Sequence, residues 1–204
     1  MSPHRRQTDG VENPFCTRCV RPGAMDFLFP PGVDATALVD RFQAGGGRGV
    51  IIGPHGSGKS TLLLAIQREL ASRGQSVFPI VLHDGQRRLP VRIPSPRLAA
   101  GTILVVDGYE QLGFWARCGL AWHCRRRRYG LLATSHRPVG LPLLFRTEVP
   151  MALAQTIVCR LQEGGERRVL PKDVAREFPR YGGNLRELLF GLFDLYEARI
   201  RKER

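Results

Sequence analysis

The residues best placed to do chemistry lie in one run, Gly53-Pro54-His55-Gly56-Ser57-Gly58-Lys59-Ser60-Thr61. It follows the apolar stretch Gly49-Val50-Ile51-Ile52 and leads into Leu62-Leu63-Leu64-Ala65-Ile66. A strand that runs into G-x-x-x-x-G-K-S and on into a helix is the setting of a phosphate-binding loop. Gly53, Gly56 and Gly58 let the backbone wind into a nest of inward-pointing N–H groups, where a side chain would block a phosphate. The helix that follows presents its unpaired first amides and its positive dipole end to the anion. In such a loop Lys59 bridges the β- and γ-phosphates, the Ser60 hydroxyl takes a Mg²⁺ position, and Thr61 helps to cap the helix or contacts the α-phosphate.

A second chemical signature is Thr102-Ile103-Leu104-Val105-Val106-Asp107-Gly108-Tyr109-Glu110. Its continuous apolar run reads as a strand buried on both faces, of the kind found in parallel sheets, and ligands gather beyond the carboxyl ends of such strands. Asp107 is therefore expected to hold Mg²⁺ through its water shell alongside Ser60, with capping of the next helix as its other use. Tyr129-Gly130-Leu131-Leu132-Ala133-Thr134-Ser135-His136 is another buried strand that turns polar at its end. If it neighbours the Asp107 strand, Thr134 or Ser135 sits beside that carboxylate, near the γ-phosphate or its attacking water.

The remaining elements position these groups. Asp34 to Phe42 reads as a short helix with Asp34 as N-cap, ended by Gly45-Gly46-Gly47. Lys59 to Arg73 forms the helix after the loop, closed by Gly74. Ser76 to Leu82 is a strand, and Pro79 favours an edge position for it. From His83 to Ala100 the pattern is poor, with Leu89 to Ile93 as a short extended piece. Glu110 to Cys124 suggests a helix interrupted near Gly113 and Gly119, leading to Arg125-Arg126-Arg127-Arg128 as a solvated end or a phosphate contact. Trp115, Trp122 and Tyr129 either fill the core, the commoner use, or stack on bases. Arg146 to Val149 is a short final strand, and beyond Pro150 the periodicity is helical. Helices are expected at Met151 to Gln162, Lys172 to Phe178 and from Asn184 onward, the last with a stripe of Leu185, Leu188, Leu189, Leu192 and Leu195. Residues 1–33 read as an irregular arm that packs through Phe15, Phe27, Leu28 and Phe29. The expected division is thus an arm at 1–33, an α/β core at 34–150 and helices at 151–204.

At 204 residues and 43% hydrophobic, the chain can bury a full core. No run approaches the roughly 18 apolar residues that span a bilayer, and the polar stretch Met1 to Asn13 lacks the apolar centre of a secretory signal. A cytoplasmic protein without membrane partners is expected. The five cysteines are an odd number and argue against a disulfide scaffold. Cys16-Thr17-Arg18-Cys19 has metal-ligand spacing without a second pair to match it, so ordinary thiols are the simpler reading. The net charge of +13 comes almost wholly from arginine. It suits a protein that holds a triphosphate and is compatible with a nucleic acid or another polyanion. A protein partner or self-association is left open.

With these residues in place, the chain from about 34 to 204 resembles the AAA-type, additional-strand branch of P-loop ATPases. Gly53 to Thr61 matches its Walker A motif, Ile103 to Asp107 its Walker B, and Leu132 to Ser135 looks like its sensor 1 strand. Gly183-Asn184-Leu185-Arg186-Glu187 is similar to the sensor 2 motif that opens the last lid helix. The resemblance implies a three-layer α/β/α sandwich with a mainly parallel sheet, followed by a small C-terminal helical lid. It further implies ATP and Mg²⁺ as ligands, catalytic roles for Lys59, Thr134 and Ser135, and a cation at Arg186 directed at the γ-phosphate. One departure matters: most of the class carry glutamate directly after the Walker B aspartate, and here that residue is Gly108. Asp107-Gly108-Tyr109-Glu110 looks more like the variant of signalling ATPases with an acidic residue three positions on, which makes Glu110 the candidate base, or else a plain helix-start glutamate. No arginine finger is assigned, although Arg137 and Arg146 follow the sensor strand. Two other readings stand beside ATP hydrolysis: a small P-loop kinase, which would use Asp84 after His83 as its Walker B residue, and a nucleotide-gated interaction module. GTP is not expected, because no N-K-x-D motif is present.

Overall fold

The computed structural model describes residues 13–90, 93 and 98–203. They form two compact units, residues 25–148 and residues 13–24 together with 149–203. In the stretch expected to be extended at Leu89 to Ile93, residues 91 and 92 lie outside the described residues.

The first unit is a three-layer α/β/α sandwich around a five-stranded parallel sheet. In chain order it contains α2 (Ala35–Ala44), β1 (Arg48–Ile52), α3 (Lys59–Ser72), β2 (Val77–Val81), β3 (Ile103–Asp107), a 3-10 turn (Tyr109–Gln111), α4 (Phe114–Arg127), β4 (Gly130–Ser135) and β5 (Leu143–Arg146), α1 being the Thr17–Val20 turn of the other unit. The strands pair in parallel in the order β2-β3-β4-β1-β5. Alternate residues face opposite layers, as a strand requires. On one side Ile51, Ile103, Val105 and Leu132 pack on α2 and α3 through Leu38, Leu62 and Ile66. On the other, Val50, Leu104, Val106 and Leu131 pack on α4 and the 3-10 turn through Leu120, Cys124 and Tyr109. Burial also pushes the Cys124 thiol up to about 11, which keeps it protonated and inert.

Local chemistry sets the element ends. Asp34 caps α2 by accepting the Ala37 N–H at 2.7 Å. Pro79, which has no N–H to donate, sits in β2 at the sheet edge. Three expectations need correction. The break at Gly113 is real, but α4 runs unbroken through Gly119 and stops at Arg128, which takes the left-handed conformation (φ 56°) usually given to glycine. Trp115 and Trp122 do not fill the core; they are 83% and 57% exposed. The last strand is Leu143–Arg146, not Arg146 to Val149, because its apolar residues are needed beside β1.

The helical unit contains α1 (Thr17–Val20), α5 (Met151–Leu161), α6 (Pro171–Glu177), a second 3-10 turn (Phe178–Tyr181) and α7 (Leu185–Glu203). Its core joins Phe15 to Val158, Val174, Leu188, Leu192 and Tyr196. Asn13 ties the first segment down by donating to the Phe193 carbonyl and the Glu197 carboxylate. The segment read as one irregular arm is thus shared between two cores, with Phe27 and Phe29 packing in the sandwich, and it contains one helical turn. Cys16 and Cys19 bring their sulfurs within 3.1 Å of each other. Among the described residues no helix is long and apolar enough to cross a membrane.

One buried charge anchors this unit. The Asp173 carboxylate accepts the Leu170 N–H at 2.8 Å and both guanidinium nitrogens of Arg199 at 2.7 and 2.8 Å. Burial alone would raise its pKa; the Arg199 fork and the Leu170 amide outweigh burial and hold it below the ordinary carboxylate value. Arg199→Ala is therefore expected to cost about 2–4 kcal/mol at neutral pH, because the buried carboxylate keeps only the Leu170 amide and Arg176 at 3.9 Å. Because the folded pKa is depressed, the pair stabilises above the unfolded value and its contribution fades as pH falls through the folded one. Urea unfolding at pH 7 and pH 3 checks this: a deficit at pH 7 that shrinks in acid is expected, and an unchanged midpoint at pH 7 contradicts it.

Candidate functional site

The strand order brings the carboxyl ends of β1, β3 and β4 side by side. Leaving β1, the chain turns at Gly53, whose position tolerates no side chain. A Cβ there would stand 2.0 Å from Thr147 Oγ1, 2.6 Å from the Thr147 carbonyl and 2.7 Å from Ser57 Oγ. The Ser57 and Thr147 hydroxyls are themselves bonded at 2.6 Å, and Ser57 also donates to the Pro54 carbonyl. Thr147, which follows β5, thus clamps the loop from a neighbouring strand end. Farther on, Gly56 and Gly58 take positive φ (68° and 86°), and the ring of Phe27 lies against Gly58, 3.4 Å from where a Cβ would be. The loop thus takes left-handed backbone at the two positions where the sequence supplies glycine, the residue that adopts it without strain.

Lys59 opens α3 and folds back over the loop. Its ammonium, largely buried, donates to the Gly53 and Pro54 carbonyls at 2.9 and 2.7 Å. Ser60 and Thr61 follow in the first turn of α3, both partly exposed. His55, at the loop's tip, stacks on His136 with ring centroids 3.6 Å apart.

From the neighbouring strands, Asp107 ends β3 and Thr134 stands near the end of β4. The Thr134 hydroxyl donates to Asp107 Oδ1 at 2.5 Å and accepts the Gly108 N–H at 2.9 Å, so the two residues named from the sequence meet. Ser135 is turned away: its buried hydroxyl donates to the Arg137 carbonyl at 2.6 Å. Arg186 lies in the first turn of α7, in the helical unit, and is exposed. Asp84 follows the edge strand β2, with β3 and β4 between it and β1, and accepts from Gln111. That separation leaves the kinase-type Walker B position without its residue.

Gly108 explains the departure from the glutamate-bearing pattern. Its φ is 82°, and a Cβ would come within 2.9 Å of the Leu82 carbonyl. No side chain can therefore project from the residue after Asp107. The 3-10 turn that follows instead carries Glu110 inward, to 10% side-chain exposure. Its Oε1 lies 3.2 Å from His136 Nε2, while Oε2 is buried with no hydrogen-bond partner among the described residues. The other imidazole nitrogen, Nδ1, is 3.1 Å from both Lys59 Nζ and the Gly53 carbonyl. One ring thus spans the gap between the loop lysine and the carboxylate. Burial lowers the pKa of His136 and the Lys59 charge lowers it further, against the opposing pull of Glu110, so the ring is neutral at pH 7.

Sequence reasoning missed His136 and Thr147. The first ends the sensor-like strand as one more polar residue, and only its two-sided contact marks it. The second had no sequence signal, because its role depends on a partner 90 residues away.

No protein-family model matches this chain, and no curated protein matches its sequence. Among solved structures it is similar to the Thermotoga maritima RuvB Holliday junction branch migration motor, with 13% identity and a TM-score of 0.42 over 79% of this chain and 66% of that one. A point mutant of the same protein gives 13% identity and a TM-score of 0.43, covering 79% of this chain and 67% of that one. With scores this low, the fold rests on the strand order and loop of this chain.

Gly53→Ala is expected to lose about 1–3 kcal/mol through overpacking against Thr147, whereas Thr147→Ser, which keeps the hydroxyl, should melt close to the parent. Thermal unfolding of both variants reads the difference; a Gly53→Ala protein with the parent's Tm would contradict the clamp.

Proposed function

We propose that the chain binds Mg-ATP at the Gly53 to Thr61 loop and hydrolyses it, coupling the cycle to a change between the sandwich and the helical unit acting as its lid. The observation that carries this reading is the string of contacts from the loop to Glu110: Lys59 in the cradle, His136 beside it, and a buried carboxylate with one oxygen still unpartnered.

In this reading the loop amides and Lys59 hold the phosphate chain and neutralise its charge. Ser60 and Asp107 are the residues that would hold Mg²⁺, and the Thr134 hydroxyl fixes the Asp107 carboxylate through Oδ1. The bound cation would supply charge neutralisation at the phosphate oxygens. Glu110 is the candidate base in this reading, with its Oε1 held by His136. A carboxylate this enclosed, with an unmet acceptor, is better suited to such a task than to a helix start in solvent. Arg186 is the candidate charge contributed by the lid, and Ser135 is a structural neighbour that steadies the turn into Arg137. The sheet order supports ATP hydrolysis over the kinase reading, since β4 separates β1 from the aspartate strand.

Two variants test the proposal together. Lys59→Ala is expected to abolish ATP binding in calorimetry, and undiminished affinity would sink the loop assignment. Glu110→Gln is expected to bind ATP as the parent does and to lose at least about 100-fold in turnover, within the range general-base catalysis supplies. Turnover equal to the parent's would remove Glu110 from the mechanism, and parental binding without turnover in the unmodified chain would favour a nucleotide-gated interaction module.

A further inference from the structure

The outer face of α4 inverts the usual pattern of a surface helix. Its inner side is closed by Leu120 and Cys124, and a polar stripe would be expected opposite. Instead Trp115 and Trp122 stand there, two helical turns apart on one face, 83% and 57% exposed. The Arg126 guanidinium lies 5.7 Å over the Trp122 ring, on the same face. The helix carries no acidic residue, and Arg125 to Arg128 are all exposed at its end. Beyond it, Arg125 and Arg128 join Arg48 in lining a cleft of about 610 Å³ at the amino ends of the strands. This is the end of the sheet opposite the nucleotide loop.

We propose that this face is a binding surface for single-stranded nucleic acid, with bases stacked on Trp115 and Trp122 and the phosphate backbone running along Arg125, Arg126 and Arg128. Exposed indoles cost free energy in water, and flat aromatic rings interleaved with guanidinium groups are the combination that takes unpaired bases and their phosphates without reading sequence. Charge complementarity decides against a second copy of the chain, because like faces bearing four arginines repel. A membrane-lying helix segregates its aromatic and basic residues onto opposite faces; here they share one. The surface is separate from the nucleotide loop and does not depend on the function proposed for it.

Both tryptophans of the chain lie on this face, so intrinsic tryptophan fluorescence reports directly on it. The full chain is titrated with a 20-nucleotide oligo-dT, oligo-U and the matching duplex, following indole emission and the anisotropy of a labelled strand, across a salt series. The expected result is quenching on single strands and tighter binding to them than to duplex. The log–log salt slope should fall by about 0.7 for each of Arg125 and Arg126 changed to Gln. Trp115→Ala/Trp122→Ala should weaken binding at least 10-fold, consistent with two lost stacking contacts, and Trp115→Phe/Trp122→Phe should recover part of it. Far-UV circular dichroism and thermal unfolding, measured in parallel, should match the parent in all four variants and certify that they fold. Absence of anisotropy change at micromolar protein and low salt overturns the proposal. So does parental affinity in the double alanine variant, quenching by anionic phospholipid vesicles in place of oligonucleotide, or concentration-dependent self-association that the alanine variant abolishes.

Discussion

No side chain can stand where β1 ends, and the rest of the site depends on that constraint. The space a Cβ would need at Gly53 is held by Thr147 and Ser57, whose hydroxyls bond each other. With the turn pinned from β5, the loop closes on itself and Lys59, opening α3, is buried against two of its carbonyls. The same restriction recurs one strand pair away at Gly108, where the Leu82 carbonyl occupies the space. Two positions closed to side chains thus decide which residues reach the centre: a lysine from the loop, and a glutamate delivered by a 3-10 turn in place of one directly after Asp107.

The electrostatics follow from burial. A neutral imidazole lies between Lys59 and Glu110, with Nδ1 toward the ammonium and Nε2 toward the carboxylate. His136 is kept neutral by its own burial and by the lysine's charge. A neutral ring can orient both groups without cancelling either charge. The Thr134 bond to Asp107 does comparable work for the metal-binding candidate, and it exists because β4 lies between β1 and β3.

Much of this was legible in the sequence where one element carries its own signal. The glycine spacing before Lys59, the continuous apolar run ending in Asp107 and the proline that confines β2 to the edge each act locally, and each marks its element. What was hidden depends on partners far along the chain. Nothing around Thr147 advertises a clamp on Gly53, and His136 reads as one polar residue among several until its ring is seen between two charged groups. Residue type alone leaves the tryptophans of α4 between the core, their commoner place, and the surface; which side of a helix is buried is decided by what packs on it, and Leu120 and Cys124 take the inner side. The unbroken run through Gly119 has the same cause: packing on β4 holds a helix that propensity alone would weaken. Arg128 takes the left-handed cap that sequence rules reserve for glycine.

The Gly53 to Thr61 loop is the proposed grip on the outer phosphates of a nucleotide. Calorimetric titration of the intact chain with ATP, ADP and AMP, each with Mg²⁺, tests it most directly. Binding of ATP and ADP with AMP far weaker is the predicted result, because the cradle and Lys59 act on the phosphates beyond the first. Equal affinity for all three, or no binding of any, would contradict it.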